Sequence, residues 1–273
     1  MKKKVLALVL GTILAAGITG CGKAQTSADG GVTKVLVAVE NGSKPLSYID
    51  DDGNVVGYEV DVLKAVDELI PEYEFDLEIV DGDATQIGLE TGKYALIGGG
   101  LYKTAERKEK YLLPETICGV STIKMFVRQD DTDLKTLDDL VGKKITPVSA
   151  NGGIYNLLVS YNEEHPDKQL TIDVSDGGFT TAEYLQGVDD GTYDAMVIPD
   201  NLGLLDTISQ LGLSVKAVEE PVKVNGTFFA LAKGQEDLTQ KVDEALATLI
   251  ENGTLSELNI KWYGEDKLVY YKD

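Results

Sequence analysis

The side chains that most often carry chemistry are scarce in this chain of 273 residues: there is one histidine, His165, and there are two cysteines, Cys21 and Cys118. One histidine beside one unmodified cysteine cannot assemble a metal cluster, and it excludes most nucleophile–histidine–acid triads. The sequence holds no G-x-S-x-G elbow, no phosphate-binding glycine loop and no paired-histidine ligand motif. His165 lies in Glu163-Glu164-His165-Pro166, a polar helix end, and Cys118 reads as a buried apolar residue. No catalysis, metal or cofactor is expected. The remaining candidates are charged groups suited to recognition. Arg107, in the charged run Glu106 to Lys110, reads by itself as a solvated helix residue, although a guanidinium there could also grip a carboxylate through two parallel hydrogen bonds. Glu40 ends a short strand, and Asp200 stands where it could cap a helix beginning at Asn201.

Cys21 has a different chemistry. Three lysines, Lys2 to Lys4, precede an uncharged apolar run from Val5 to Ile18 and then small residues before the cysteine, the order of a secretory signal. Those fourteen residues make about 21 Å of helix, short of the ~30 Å hydrocarbon core, so removal is expected rather than a permanent span. Ile18-Thr19-Gly20-Cys21 resembles a bacterial lipobox, which implies that Cys21 is acylated, with chains of the palmitate type, and becomes the new N-terminus. A multiply acylated cysteine anchors stably, since each buried methylene contributes about 0.8 kcal/mol. Losing residues 1 to 20 takes away three lysines and moves the formal net charge from −21 to −24. So acidic a surface argues against nucleic acid and against direct docking on anionic lipid. With Cys21 modified, Cys118 has no disulfide partner within the chain, and the fold must rest on its core.

The elements that would position these groups alternate along the chain. Residues 22 to 33 are rich in Gly, Ser, Thr and Ala without an apolar period, which predicts a flexible tether over 21–33 and a fold beginning near Lys34. Val35 to Glu40 reads as a strand. Val62, Val66, Leu69 and Ile70 share a helical face, and Phe75, Leu77 and Ile79 recur at period two. After about Thr122 a second series follows: strand Lys144 to Val148, helix Ile154 to Asn162, strand Leu170 to Val174, helix Thr180 to Gly187, strand Ala195 to Ile198. Such alternation predicts an α/β fold with mainly parallel sheets. Leu238, Val242, Ala245, Leu246 and Leu249 predict a helix ended by Gly253, after which Thr254 and Glu257 form a capping-box pattern.

Three stretches then carry a likeness to a known family. They are Lys44-Pro45-Leu46-Ser47-Tyr48 with Asp52-Gly53-Asn54-Val55-Val56-Gly57-Tyr58-Glu59-Val60-Asp61-Val62, then Thr104-Ala105-Glu106-Arg107, and finally Asn252-Gly253-Thr254-Leu255 with Lys261-Trp262-Tyr263-Gly264. In this order and spacing the chain, from about Lys34 to Gly264, resembles the solute-binding proteins, family three, of polar amino-acid ABC importers. The resemblance implies a two-lobed periplasmic-binding-protein type II fold, with a mainly parallel sheet in each lobe and two hinge crossings near Val120 to Ile123 and Val222 to Gly226. Lobe one would comprise 34–119 and 227–273, and lobe two 120–226. It implies a monomer that captures an amino acid or similar ligand, delivers it to an ABC permease and stays on the membrane through its lipid.

For the site, the resemblance makes Arg107 the anchor of a ligand carboxylate and Glu40 an acid facing the ligand side chain. It makes Asp200 the partner of the ligand amino group, although here Pro199 intervenes and the acid comes one residue late. The family's hydroxyl-bearing run before T-x-E-R is here Gly98-Gly99-Gly100-Leu101-Tyr102, so either the amide of Gly99 approaches the ligand or the glycines make a tight turn. The family's G-S-T at a helix start is Asn151-Gly152-Gly153, which leaves the backbone amides at Gly153 and the helix dipole to bind an anion. Ser43 replaces the usual aromatic lid, and Tyr48, Tyr102 or Tyr155 could supply stacking instead. The competing expectations are a ligand-sensing module of a signalling receptor, disfavoured because the chain stops at Asp273, and a binder of some other carboxylate.

Overall fold

The computed structural model describes residues 26–272 apart from 30, 82, 83, 151, 176 and 178. In chain order the strands are β1 Thr26–Asp29, β2 Val32–Glu40, β3 Tyr48–Ile49, β4 Val55–Val56, β5 Tyr73–Val80, β6 Leu96–Leu101, β7 Gly119–Arg128, β8 Val148–Ser149, β9 Val174–Ser175, β10 Ala195–Pro199, β11 Val215–Ala217 and β12 Lys223–Leu231. The helices are α1 Tyr58–Leu69, α2 Ala84–Glu90, α3 Ala105–Lys110, α4 Gly153–Glu164, α5 Thr181–Asp189, α6 Leu204–Leu211, α7 Glu236–Glu251 and α8 Thr254–Tyr263, with 3-10 turns at Leu137–Leu140 and Lys267–Tyr270.

Two long antiparallel strands hold the molecule together. Residues 119–123 of β7 pair with 227–223 of β12. Beyond that crossing β12 continues alongside β6, while β7 continues between β10 and β11. β2 carries β5 parallel on one edge and, on the other, β6 parallel and β1 antiparallel. One core packs between this first sheet and α1, α7 and α8, with Val37, Val39, Val62, Val66, Leu96, Leu246 and Leu255 among its buried residues. The second sheet has a core on each face. Met125, Val127, Ala195 and Val197 face one, and the residues between them, Phe126 and Met196, face the other. β7 is buried on both faces along nearly its whole length, so Ser121, Thr122 and Lys124 are covered together with its apolar residues.

Glycine is required where the two long strands cross. A Cβ on Gly119 would lie 2.8 Å from Cε1 of Tyr58, and one on Gly226 would lie 2.6 Å from Cγ2 of Ile117. Beyond α8 the chain packs back over this crossing, with Leu268 and Tyr271 against Ile117, Val120 and Phe228.

Several expectations change. The sheets are mixed, because β12, β10 and β11 return antiparallel to their neighbours and only β2 with β5 and β6, and β8 with β9, run parallel. Residues 26–29, expected within a tether, pair with β2, which starts at Val32 and not at Val35, since β-branched Val32 and Thr33 favour extended backbone. The strand expected over 144–148 shortens to Val148–Ser149 with a single bridge from Ile145 to Ala195. Thr254 is the first residue of α8 and not its cap. The cap is Gly253, in left-handed backbone with φ 84°, so Thr254 and Glu257 form no capping box. Asp200 caps no helix either, since α6 starts at Leu204 behind Gly203.

Candidate ligand-binding site

The carboxyl ends of parallel strands are the usual place for a ligand crevice in an α/β sheet, and two of the expected site residues stand there. Val37 pairs with Leu96 and Ala38 with Ile97, which brings Glu40 level with Gly99. Oε2 of Glu40 lies 4.0 Å from where a Cβ on Gly99 would stand. On its other edge β6 pairs Ile97 with Ala230 and Leu101 with Phe228, so the three glycines between form a bulge opposite one residue of β12. The Gly99 and Gly100 amides turn inward and donate to the two oxygens of Glu59, at 2.7 and 2.8 Å. The Gly99 amide therefore does not face an outside ligand, and the glycine run is a turn built around an internal carboxylate. Glu59 is 1 % exposed. Burial pushes its carboxyl above the usual range, the two amides oppose that rise, and the nearby charge of Glu40 adds to it.

Beyond the bulge, Thr104 caps α3 by accepting the backbone N–H of Arg107 at 3.2 Å. The half-buried Arg107 side chain folds back, and its Nη1 donates to the carbonyl of Tyr102 at 2.9 Å. No carboxylate among the described residues forms an ion pair with it. The other arginine in the chain differs, since Arg128 is held by Asp194 at 3.5 Å and by the carbonyl of Tyr193 at 3.0 Å. The Tyr102 hydroxyl meets Oγ of buried Ser121, on β7, at 2.9 Å, so the loop carrying Arg107 is tied to the strand crossing.

Tyr102 also lines a cleft of about 790 Å³ together with Ile123, Gly153, Asn156, Pro199 and Asn225. Gly153 begins α4 behind an N-cap glycine with no side-chain cap, and a Cβ on it would meet nothing within 4 Å. A neighbouring cavity of about 360 Å³ shares Gly153 and adds Ser149, Tyr155, Ser175 and Tyr184. Tyr102 and Gly153 are thus brought to one cleft. Glu40, Gly99 and Arg107 do not line it; they stand on the strand end and loop that lead to Tyr102.

Asp200 requires a correction. Side chains alternate along a strand, so with Pro199 facing the cleft, Asp200 points to the opposite side. There it lines a separate cavity of about 250 Å³ with Pro45, Lys124, Gly203, Trp262 and Lys267. Its Oδ1 accepts from Lys267 at 2.6 Å and its Oδ2 lies 3.7 Å from Lys124, which in turn meets Glu265 at 2.7 Å. Lys267 is 2 % exposed; burial pulls its ammonium below the usual lysine range, against the pull of Asp200. Both Asp200 oxygens face lysines of the protein, and Asp200 does not line the cleft that Tyr102 and Gly153 share. Tyr48 is turned toward the edge of Trp262, at a ring distance of 6.3 Å. Cys21 and Asn151 lie outside the described residues.

The profile of the bacterial extracellular solute-binding proteins, family 3, matches residues 35–265. The chain belongs to this family. Among its relatives, the probable amino-acid-binding protein YxeM of Bacillus subtilis is 30 % identical over 272 residues, 99 % of this chain and 98 % of that one. The L-cystine-binding protein TcyK of the same organism is 26 % identical, over 97 % and 98 % of the two chains. The fold is shared with the B. subtilis probable amino-acid ABC transporter extracellular-binding protein ytmK, at a TM-score of 0.74 and 24 % identity over 86 % of this chain and 99 % of that one. It is shared also with the unliganded open L-cystine solute receptor of Neisseria gonorrhoeae, at a TM-score of 0.68 and 23 % identity over 85 % and 93 %. Family 3 members are solute-binding proteins rather than enzymes. Two stretches that suggested the family touch in space: Oδ2 of Asp61 accepts from Nζ of Lys261 at 2.6 Å and from the Trp262 indole at 2.9 Å, which locks α1 to α8. Among the described residues, no helix is long and apolar enough to cross a membrane.

Sequence reasoning missed Glu59, Ser121 and the cluster of Lys124, Glu265 and Lys267. Glu59 stood inside a stretch that carried the resemblance but was given no role of its own, and nothing in the spacing of Lys267 pointed to Asp200.

Proposed function

We propose that this family 3 protein binds an amino acid or amino-acid-like carboxylate between two lobes, 34–119 with 227–273 and 120–226, and presents it to an ABC permease. The observation that carries the reading is Arg107, a half-buried guanidinium held by one carbonyl and free of any acidic partner among the described residues. Tyr102 and the start of α4 at Gly153 both line the adjoining cleft. Glu40, beside Gly99, is the acid for a cationic group of the ligand, and it is favoured over Asp200 because two lysines already face that carboxylate. The amino-acid and L-cystine binding named for the relatives supports this ligand class. On this reading the protein is a binder and not a catalyst.

A thermal-shift screen against amino acids including L-cystine, small peptides, polyamines and organic acids identifies the ligand, since saturation at 100 times the dissociation constant adds about 2.7 kcal/mol. Calorimetry then tests the anchor. Arg107→Ala should lower affinity by about two to three orders of magnitude, because it leaves a desolvated carboxylate unpaired, and Arg107→Lys should also bind worse, since an ammonium lacks the two-pronged contact. Wild-type affinity in a folded Arg107→Ala protein refutes the carboxylate reading. We further propose that Cys21 carries the lipid. Cys21→Ser should release the protein from the membrane fraction, and unchanged association rejects the anchor.

A further inference from the structure

The glycine bulge and the buried acid behind it explain each other. A bulge of this size removes amides from the ladder, and buried amides need acceptors. Glu59 supplies both, one oxygen to each of Gly99 and Gly100. The geometry leaves no room for a larger side chain: a Cβ on Gly98 would lie 2.8 Å from Oε2 of Glu59, and Gly99 and Gly100 have φ of +131° and +63°. Glu59 itself is fixed at the start of α1, where its backbone N–H donates to the carbonyl of Leu46 at 3.0 Å and the positive end of the helix favours its charge. The chain then runs within a few residues from this clamp to Tyr102, whose carbonyl holds Arg107 and whose hydroxyl holds Ser121. Glu40 stands directly beside the clamped Gly99.

We propose that Glu59 is the positioning residue of the binding loop: its carboxylate, gripping the Gly99 and Gly100 amides, sets where Arg107, Tyr102 and Glu40 stand, without touching the solute. The assignment of Arg107 as ligand anchor rests on the function proposed above, whereas the clamp itself does not. Glu59 is distinct from an anchor in kind, because it is closed off from solvent and each of its oxygens already accepts an amide of the bulge. Replacing it with glutamine keeps the shape but turns a donor group toward one of the two amides, which then has no acceptor.

The test needs no ligand. In the mature protein labelled with ¹⁵N, Glu59→Gln should raise the exchange rate of the Gly99 or Gly100 amide by about tenfold or more, the loss expected for a charge-assisted bond. Loosening the loop should also free the Arg107 guanidinium from the Tyr102 carbonyl. Phenylglyoxal should then modify Arg107 faster, read by mass spectrometry against Arg128 as the internal control. Glu59→Asp, whose shorter side chain cannot reach both amides, should show the same pattern and serves if the glutamine variant does not fold. Faster exchange and labelling confined to the loop support a positioning role. Unchanged exchange at both glycines overturns it, and so does equal acceleration at Arg128, which would make Glu59 a general support of the fold. If the solute screen fails while this pattern holds, the carboxylate reading falls and the clamp stands.

Discussion

The two sides of β10 treat charge in opposite ways. On the side of Asp200, four charged groups from β7, the end of β10 and the chain beyond α8 are met by one another: Lys267 and Lys124 flank Asp200, and Glu265 holds Lys124. On the side of Pro199, the cleft is approached by Arg107, which meets only a carbonyl. The difference follows exposure. A lysine at 2 % exposure cannot wait for a partner that comes and goes, because an unpaired buried charge costs several kcal/mol. A half-buried guanidinium keeps enough water to stand alone and still gains when a carboxylate replaces that water. Internal pairing therefore marks charges that hold the fold, and its absence marks charges available for recognition.

Two substitutions test that division. Lys267→Met removes the closer partner of Asp200 and should lower unfolding stability by about 3 kcal/mol, the lower end for a broken buried pair, since Lys124 still faces the other oxygen. Denaturant unfolding measures it; an unchanged midpoint would mean that the cluster is neutral, and the contrast with Arg107 would collapse. The smallest effect belongs to Lys44, whose exposed pair with Asp206 at 3.6 Å joins the β2–α1 connection to α6. Lys44→Ala should shift the melting temperature by less than about 2 °C. A larger shift in the scan would show that pairing matters across the surface and not only where water is excluded.

How far the sequence reached can be read from the same residues. The helical faces of α1 and α7 were legible because they are local patterns, whereas the grip of Asp61 on Lys261 and Trp262 was not foreseen. The direction of strands was not legible, because β7 mixes Ser121, Thr122 and Lys124 with apolar residues yet is buried at nearly every position, and so gives no sign of which neighbours cover it. The surroundings of Asp200 were not legible for a sharper reason: a shift of one residue along a strand turns a side chain to the other face, so with Pro199 on the cleft Asp200 meets Lys267 and Lys124 instead. The glycine run could be read two ways until the distant acid, Glu59, was seen behind it.

Trp262 lends itself to optical measurement. It is the only tryptophan in the chain. Its indole is fixed on Asp61, and it borders a cavity whose far wall is Gly203 to Asp206, on the other side of the strand crossing. Indole emission responds to local water and to nearby charge, and any swing of one wall against the other changes both at this ring. On the two-lobed reading proposed above, the protein carries its own fluorophore at a gap between the lobes, and stopped-flow emission tests for closure without a dye or an engineered label.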